Sequence, residues 1–150
     1  MRAVIQRVSE SSVTIEGEVV GSIGVGFMIL LGIELEDSED DIEWLVQKIY
    51  KLRVFSDDDG KMNLSIGDVN GSFLVISQFT LHASTRKGNR PSYIKAARPE
   101  QAIPLYEKFK LRLREISGLE LEDGEFGGDM KVSLINDGPV TIIIDTKMKE

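Results

Sequence analysis

The tetrapeptide Phe73-Leu74-Val75-Ile76 restricts the folds open to this chain. Successive side chains of a strand point to opposite faces of its sheet, so a strand that is apolar at every position needs cover on both faces. The segment is therefore predicted to be a central strand. Polar residues follow at once, beginning with Ser77 and Gln78. Polar atoms at the end of a buried strand either find nearby backbone partners or mark a binding site.

Hydrophobic periodicity predicts two helices in the rest of the chain. Ser38 and Asp41 have the spacing of a capping box that opens the first helix. Its buried stripe is predicted to be Ile42, Leu45, Val46, Ile49 and Leu52. A second helix is predicted to bury Leu105, Tyr106, Phe109, Leu113 and Ile116 and to stop at Gly118. Pro99 and Pro104 leave the start of this second helix open, because proline fits only a first turn.

Strands are predicted on both sides of these helices. Early strands cover residues 2–8, 12–15, 19–23 and 25–33, with a hairpin at Glu16-Gly17-Glu18, and the final strands cover about 130–136 and 140–145. No repeat or linker divides the chain. We therefore predict an α/β fold, a single compact domain over residues 1–150. It would have mixed, mostly antiparallel, barrel-like β-sheets and two main amphipathic helices.

Composition excludes several classes of protein. The chain has no cysteine, so disulfide frameworks, thiolate nucleophiles and cysteine-bound zinc are excluded. No apolar run reaches the roughly 18 residues needed to cross a bilayer. The segment from Met1 to Val8 alternates in polarity, unlike a signal peptide. The expected location is therefore the cytoplasm, without a membrane partner.

The charge of the chain is unevenly distributed. The net charge is −7, yet residues 86–114 contain nine basic and two acidic residues, a local balance of +7 that leaves −14 for the rest. Arg86, Lys87, Arg90, Lys95 and Arg98 have no acid among them. We predict that this loop, and Arg86, Lys87 and Arg90 above all, contacts RNA phosphates. Lys108, Lys110, Arg112 and Arg114 are instead predicted to form the solvated face of a helix.

No catalytic triad can be assembled from the sequence. His82 is the only histidine, and on a strand Ser77 would point to the opposite face from it. Thr80 would share a face with His82, which is more simply interpreted as an ordinary polar residue at the strand end. Asp57-Asp58-Asp59-Gly60 does not fit a calcium loop, since Lys61 occupies the fifth position, and is predicted to be a solvated turn. No metal and no cofactor are predicted.

Two motifs are informative only when taken together. Ser77-Gln78-Phe79-Thr80-Leu81 would continue the central strand, and Asn136-Asp137-Gly138-Pro139-Val140-Thr141 would form a turn between two strands. As a pair they resemble the signature motifs of the D-aminoacyl-tRNA deacylases, formerly called D-tyrosyl-tRNA deacylases. The resemblance extends over nearly the whole chain, and further matching segments are residues 1–8, 53–55, 60–65, 87–93 and 126–130.

The resemblance implies a cytoplasmic homodimer that hydrolyses the ester of D-aminoacyl-tRNA at its 3′ aminoacyl-adenosine end. Glycyl groups mischarged on tRNA-Ala are also expected substrates. Phe79 and Thr80 would supply backbone donors for the oxyanion, and Ser77 and Gln78 would orient the aminoacyl group and adenosine. Met130 would flank the adenine. The Gly138-Pro139 peptide would be cis and would enter the partner's pocket, where it leaves no room for an L side chain.

The sequence is also compatible with other mechanisms and functions. Thr80 could be a nucleophile that forms an acyl-enzyme, but no base accompanies it in the sequence. If Thr80 is not a nucleophile, the 2′-hydroxyl of the RNA would assist the reaction, while the protein positions the ester. A non-catalytic RNA-binding module is the alternative function, although the chain lacks recognisable RNA-binding signatures. A general esterase would need a triad.

Overall fold

The computed structural model describes residues 1–150, and along the chain three strands, a helix, three strands, a second helix and two final strands follow one another. The strands are β1 (Arg2–Ile15), β2 (Glu18–Ile23), β3 (Gly26–Gly32), β4 (Arg53–Ser56), β5 (Met62–Ser65), β6 (Ser72–Ser77), β7 (Leu121–Asp123) and β8 (Lys131–Asp145). The helices are α1 (Glu39–Lys51) and α2 (Pro99–Ser117), and a short 3₁₀ turn spans Phe79–His82. No helix is long and apolar enough to cross a membrane.

The main sheet is mixed and mostly antiparallel. Its strand order is β2-β1-β3-β6-β7, with β8 on the other side of β1, and β4 and β5 form a separate hairpin. Strand β6 runs parallel to both of its neighbours, β3 and β7, whereas β1 is antiparallel to all of its partners. The two end strands, β2 and β7, approach each other, since a Cβ built on Gly21 would lie 2.7 Å from the Asp123 carbonyl oxygen. This approach curls the sheet toward a barrel, as predicted.

Strand β6 is covered on both faces, which confirms the prediction made from its unbroken apolar sequence. Phe73 and Val75 belong to the larger core, which packs the sheet against α1 and α2. Leu74 and Ile76 point the other way, into a smaller core inside the curled sheet. That smaller core also contains Val8, Val13, Ile23 and Met28. The end of β6 is therefore held rigidly from both sides.

Both helices have the predicted buried stripes. In α1, the Ser38 backbone N–H donates to the Asp41 carboxylate at 2.9 Å, and Ile42, Leu45, Val46 and Ile49 are buried. Helix α2 begins at Pro99 and tolerates Pro104 inside its second turn. Its residues Tyr106, Phe109 and Leu113 are buried. Three predicted stripe residues are only partly buried at the margin of the core: Leu52, which follows α1, and Leu105 and Ile116 of α2.

Two predictions about strand boundaries are wrong. Residues 2–8 and 12–15 are parts of one strand, β1, because the polar stretch between them still pairs with β8. Residues 130–136 and 140–145 are likewise one strand, β8. Both of its halves run antiparallel to β1, so the chain does not reverse at Gly138-Pro139. Gln6 pairs with Thr141 and Val8 with Asn136, which leaves four residues of β8 opposite Arg7. The expected turn is a bulge.

A charged cluster joins the start of α1 to the C-terminal segment. The buried Met1 ammonium group donates to Asp37 and to the Thr146 hydroxyl. Lys147 Nζ lies 3.0 Å from the Asp41 carboxylate. Burial alone would raise the pKa of Asp41, but hydrogen bonds from Thr146, Lys147 and the Ser38 backbone outweigh it, and the net pKa lies well below its ordinary value. Asp41 is therefore a carboxylate whose charge stabilises the fold.

Candidate active site

The polar motif after the central strand is a turn rather than a strand. Strand β6 ends at Ser77, and residues 79–82 form a 3₁₀ turn in which the Leu81 N–H donates to the Gln78 carbonyl at 3.2 Å. Gln78 N–H still donates to the Leu31 carbonyl at 2.8 Å, but β3 ends at Gly32 and offers no further partner. The turn packs directly on Gly32, where a Cβ would lie 2.9 Å from the Gln78 carbonyl oxygen. The predicted strand over residues 77–81 is wrong for this reason.

His82 takes no part in the candidate site. The predicted shared strand face of Thr80 and His82 does not exist, because both lie in the 3₁₀ turn. His82 is not at a strand end but is the last residue of that turn; it is 4% exposed, and its Nε2 has no hydrogen-bond partner. It is absent from the lining of the neighbouring cavity. A Ser77–His82 catalytic pair is therefore unsupported.

A cavity of about 310 Å³ opens at the end of β6. Ser77, Gln78 and Phe79 form one wall, and Met130 lies in the segment that forms another. The remaining lining consists of Leu31, Ile33, Ile76, Ala97, Ala102, Phe126, Gly127, Gly128, Asp129 and Val132. The volume is at the lower end of the range for small-molecule sites, and the mixture of apolar walls with a few polar groups is typical of them. The structure thus brings four of the predicted site residues together around one space.

Two consecutive backbone donors have no acceptor, one on Phe79, which lines the cavity, and one on Thr80, which does not. Neither the Phe79 N–H nor the Thr80 N–H makes a hydrogen bond within the chain. These groups start the 3₁₀ turn, so no preceding turn supplies a carbonyl for them. The Gln78 side-chain amide contacts the Thr80 hydroxyl. An amide does not act as a base, so the Thr80 hydroxyl has no activating partner in the chain.

The Gly138-Pro139 bulge is exposed and lies away from the cavity of its own chain. Its peptide bond is cis, and neither residue lines the cavity. Arg7 holds the bulge from below, where its Nε donates to the Asp137 carbonyl at 2.8 Å and its Nη1 to the Val54 carbonyl at 2.6 Å. Asn136 accepts the Val140 N–H at 2.9 Å across the bulge. The bulge is a braced projection on the surface of the subunit.

The basic loop is exposed and its charges are free of partners. Arg86, Lys87, Arg90, Lys95 and Arg98 make no ion pair and no side-chain hydrogen bond. Lys108 and Arg112 on α2 instead pair with Glu39 and Glu43 of α1. Lys110 is buried against Asp123, so its predicted solvated position is wrong. The unpaired positive charge is thus concentrated in the loop over residues 86–98.

Some residues of the site carried no usable signal in the sequence. Arg7 supports the bulge, but its position there depends on the pairing of β1 with β8, which no local pattern reveals. Ala97 and Ala102 line the cavity as small apolar residues of the kind found throughout any core. The glycines at 127 and 128 were a detectable signal, because a glycine pair often marks a close approach of the backbone.

Asp57 lies in a turn away from this lining. Its carboxylate accepts the Asp59 and Lys61 N–H groups, which confirms the predicted turn.

Comparison with known proteins identifies the relatives of this chain. A D-aminoacyl-tRNA deacylase of Akkermansia muciniphila is 61% identical over 150 residues and one of Bacteroides fragilis is 63% identical, each covering all of both chains. A solved structure titled c-Myc DNA Unwinding Element Binding Protein is 44% identical with a TM-score of 0.91, covering 97% of this chain and 98% of that one. The family model described as D-Tyr-tRNA(Tyr) deacylase matches residues 4–145. With both motifs placed around this cavity and bulge, the chain belongs to the D-Tyr-tRNA(Tyr) deacylase family.

Proposed function

We propose that this protein hydrolyses the ester bond of D-aminoacyl-tRNA in the cytoplasm and releases the free D-amino acid and the tRNA. The observation that supports it best is the pair of unpartnered N–H groups of Phe79, which lines the cavity, and of Thr80, the next residue in the chain. Donors that are fixed before substrate arrives stabilise the charge that develops on a carbonyl oxygen in acyl transfer. The family relatives that carry the name D-aminoacyl-tRNA deacylase support the choice of substrate.

In the proposed reaction a water oxygen attacks the ester carbonyl carbon. The carbonyl electron pair moves to oxygen, which accepts hydrogen bonds from the Phe79 and Thr80 N–H groups. When the tetrahedral intermediate collapses, the ester C–O bond breaks, the electron pair returns from the oxyanion to re-form the carbonyl, and the ribose 3′-oxygen takes the proton given up by the attacking water, relayed by the neighbouring 2′-hydroxyl. Ser77 and Gln78 orient the aminoacyl group and the terminal adenosine from their wall of the cavity, and Met130 flanks the adenine. The protein contributes position and electrostatic stabilisation.

A covalent route through Thr80 is the second mechanism. It needs a base within hydrogen-bond reach, and the Thr80 hydroxyl contacts only the Gln78 amide. If the RNA hydroxyl assists, Thr80→Ala should retain at least a tenth of the wild-type kcat, whereas an ester on 2′-deoxyadenosine-ended tRNA should react poorly. A folded but inactive Thr80→Ala variant, or trapping of an acyl-enzyme, would establish the covalent route instead.

Selection of the D hand is proposed to come from a second subunit. Gly138 and Pro139 do not line the cavity of their own chain, so they act only if a partner's bulge enters it. Strand β8 pairs with β1 along one edge alone, and its side chains Leu134, Ile135 and Ile143 are exposed. A long edge strand with apolar side chains is a ready surface for pairing with another chain. The bulge would exclude L side chains by steric conflict.

This form of selection determines which aminoacyl groups can be substrates. An exclusion filter does not recognise the side chain itself, so D-aminoacyl groups of several kinds are substrates. Glycine has no side chain to exclude, and glycyl groups mischarged on tRNA-Ala are therefore proposed substrates as well. The free charges of Arg86, Lys87 and Arg90 are proposed to contact phosphates of the tRNA.

The direct test is incubation of the purified protein with matched D-tyrosyl-tRNA and L-tyrosyl-tRNA, following release of the amino acid. We expect rapid release of the D form and little release of the L form. A non-catalytic RNA-binding module would release neither, although it would still retain the tRNA in a filter-binding assay. A general esterase would hydrolyse small activated esters and would release both forms without discrimination.

A further inference from the structure

An exposed aromatic pair stands at the rim of the cavity. The rings of Phe79 and Tyr93 lie 5.1 Å apart between centroids with an interplanar angle of 72°. Phe79 lines the cavity and is 54% exposed, and Tyr93 is 38% exposed. Neither side chain belongs to, or packs against, the two hydrophobic cores. The pair is therefore not part of the packing that stabilises the domain.

The backbone fixes Tyr93 in this position. Ser84 and Ser92 exchange two backbone hydrogen bonds, at 2.8 and 2.9 Å, which close the first part of the basic loop just before Tyr93. The Ala96 N–H donates to the Tyr93 carbonyl at 3.0 Å, and the Leu35 N–H donates to the Lys95 carbonyl at 3.1 Å. Tyr93 thus stands on an anchored segment, although it lies within a loop.

The ring geometry leaves aromatic surface available. In an edge-to-face pair the edge of one ring meets one face of the other, so the contact covers only one ring face. Exposed aromatic faces beside unpaired cations are the elements with which proteins bind single-stranded nucleic acid. Both elements are present here, because Arg86, Lys87 and Arg90 lie between Ser84 and Ser92, the two residues whose backbones pair just before Tyr93. Phe79 also lines the cavity.

We propose that Tyr93, supported by Phe79, forms a stacking subsite for the base of the unpaired nucleotide that precedes the aminoacylated terminal adenosine. This inference rests on the proposed function, since it extends the same RNA strand from the cavity to the rim. Stacking does not depend on base identity, so the subsite serves every tRNA that has the same single-stranded end. Its effect is to hold the strand between the cavity and the phosphate contacts of the basic loop.

The test compares two substrates that differ only in the RNA beyond the terminal adenosine. These are D-tyrosyl-tRNA and 3′-O-D-tyrosyl-adenosine, each assayed for kcat and KM. Tyr93→Ala should lower kcat/KM on the tRNA by roughly 5- to 100-fold, mainly through KM, because one stacked base is lost. The ratio of kcat/KM between the two substrates should fall by the same factor. Tyr93→Phe keeps the ring and should restore the ratio.

Two controls separate stacking from a structural role. Leu111→Ala removes a side chain that is 56% exposed on α2 and should leave the ratio unchanged. The wild-type protein should act on D-tyrosyl-tRNA with an abasic penultimate nucleotide with the same kcat/KM that Tyr93→Ala shows on the normal tRNA. Tyr93→Ala should show no further loss of kcat/KM on the abasic substrate. Equal losses on tRNA and on the adenosine ester, or no loss on tRNA, would overturn the subsite. A wild-type protein inactive on both substrates would overturn the proposed function itself.

Discussion

Replacing Gly138 by alanine tests the bulge at the position where the backbone tolerates a side chain least. Gly138 has φ +140°, and a Cβ there would lie 2.7 Å from Val140 Cγ2 and 3.0 Å from Arg7 Nη2. A non-glycine residue held in such a conformation costs about 1–3 kcal/mol. Val140 is buried and cannot move aside freely, so the close contact adds about 1 kcal/mol or more. We expect a total loss of about 2–4 kcal/mol, which a typical domain survives at 25 °C.

Gly60→Ala is the matched control for this change. Gly60 also has a positive φ, +77°, but a Cβ there meets nothing within 4 Å. Its expected cost is about 1–2 kcal/mol, from the left-handed backbone alone. Urea denaturation of both variants measures the difference between them, which isolates the contribution of the crowded bulge.

The functional consequence is measured with D-tyrosyl-tRNA and L-tyrosyl-tRNA as parallel substrates. Distortion of the bulge should reduce the ratio of the two kcat/KM values at least tenfold in Gly138→Ala, equivalent to about 1.4 kcal/mol of discrimination. Gly60→Ala should retain the wild-type ratio. If Gly138→Ala loses no more stability than Gly60→Ala, the steric reasoning is refuted. If its ratio is unchanged in a folded protein, the bulge is not the chiral filter.

Three further perturbations follow from the contacts described above. Arg7→Lys removes the fork that reaches the Asp137 and Val54 carbonyls, and should cost about 1–3 kcal/mol in urea denaturation and weaken rejection of L-tyrosyl-tRNA; unchanged values would contradict the bracing role. The lowered pKa of Asp41 means that its stabilisation is complete above about pH 5, begins to fall near pH 4, and is lost progressively as the pH drops toward the much lower pKa of the folded state. The stability gap between wild type and Asp41→Asn, about 1 kcal/mol at pH 6, should therefore shrink at pH 3, and a constant gap would show that the charge is irrelevant. Replacing both Arg86 and Arg90 by glutamine should make the slope of log KM for D-tyrosyl-tRNA against log salt concentration shallower by about one to two. Replacing Lys108, which is paired with Glu39, by glutamine should leave this slope unchanged.

The sequence predicted the elements whose stability is determined locally. The stripe from Ile42 to Ile49 and the Ser38–Asp41 cap depend on residues within one or two helical turns, and both are present. The two-sided burial of Phe73–Ile76 follows from alternation alone. These features need no knowledge of the distant chain, which is why they were predictable.

The predictions that failed depend on partners far away in the sequence. The polar residues near Glu10 remain in β1 because β8 supplies their hydrogen bonds. Strand β6 does not continue past Ser77 because its neighbour β3 ends at Gly32, about 45 residues earlier in the chain. The local pattern predicted neither the 3₁₀ turn after Ser77 nor the bulge at Gly138-Pro139, since Arg7 reaches the bulge only once β1 and β8 have paired. Tertiary pairing determines the geometry of both motifs.

Strand β8 carries both the exposed bulge and the apolar edge proposed for subunit contact. Under that arrangement, stereochemical accuracy becomes a property of concentration. Dilution below the dissociation constant of the subunits would remove the filter while leaving each cavity and its backbone donors intact. The separated subunits would not simply lose activity but would begin to release L-amino acids. Error rate as a function of dilution would then report the strength of the subunit contact.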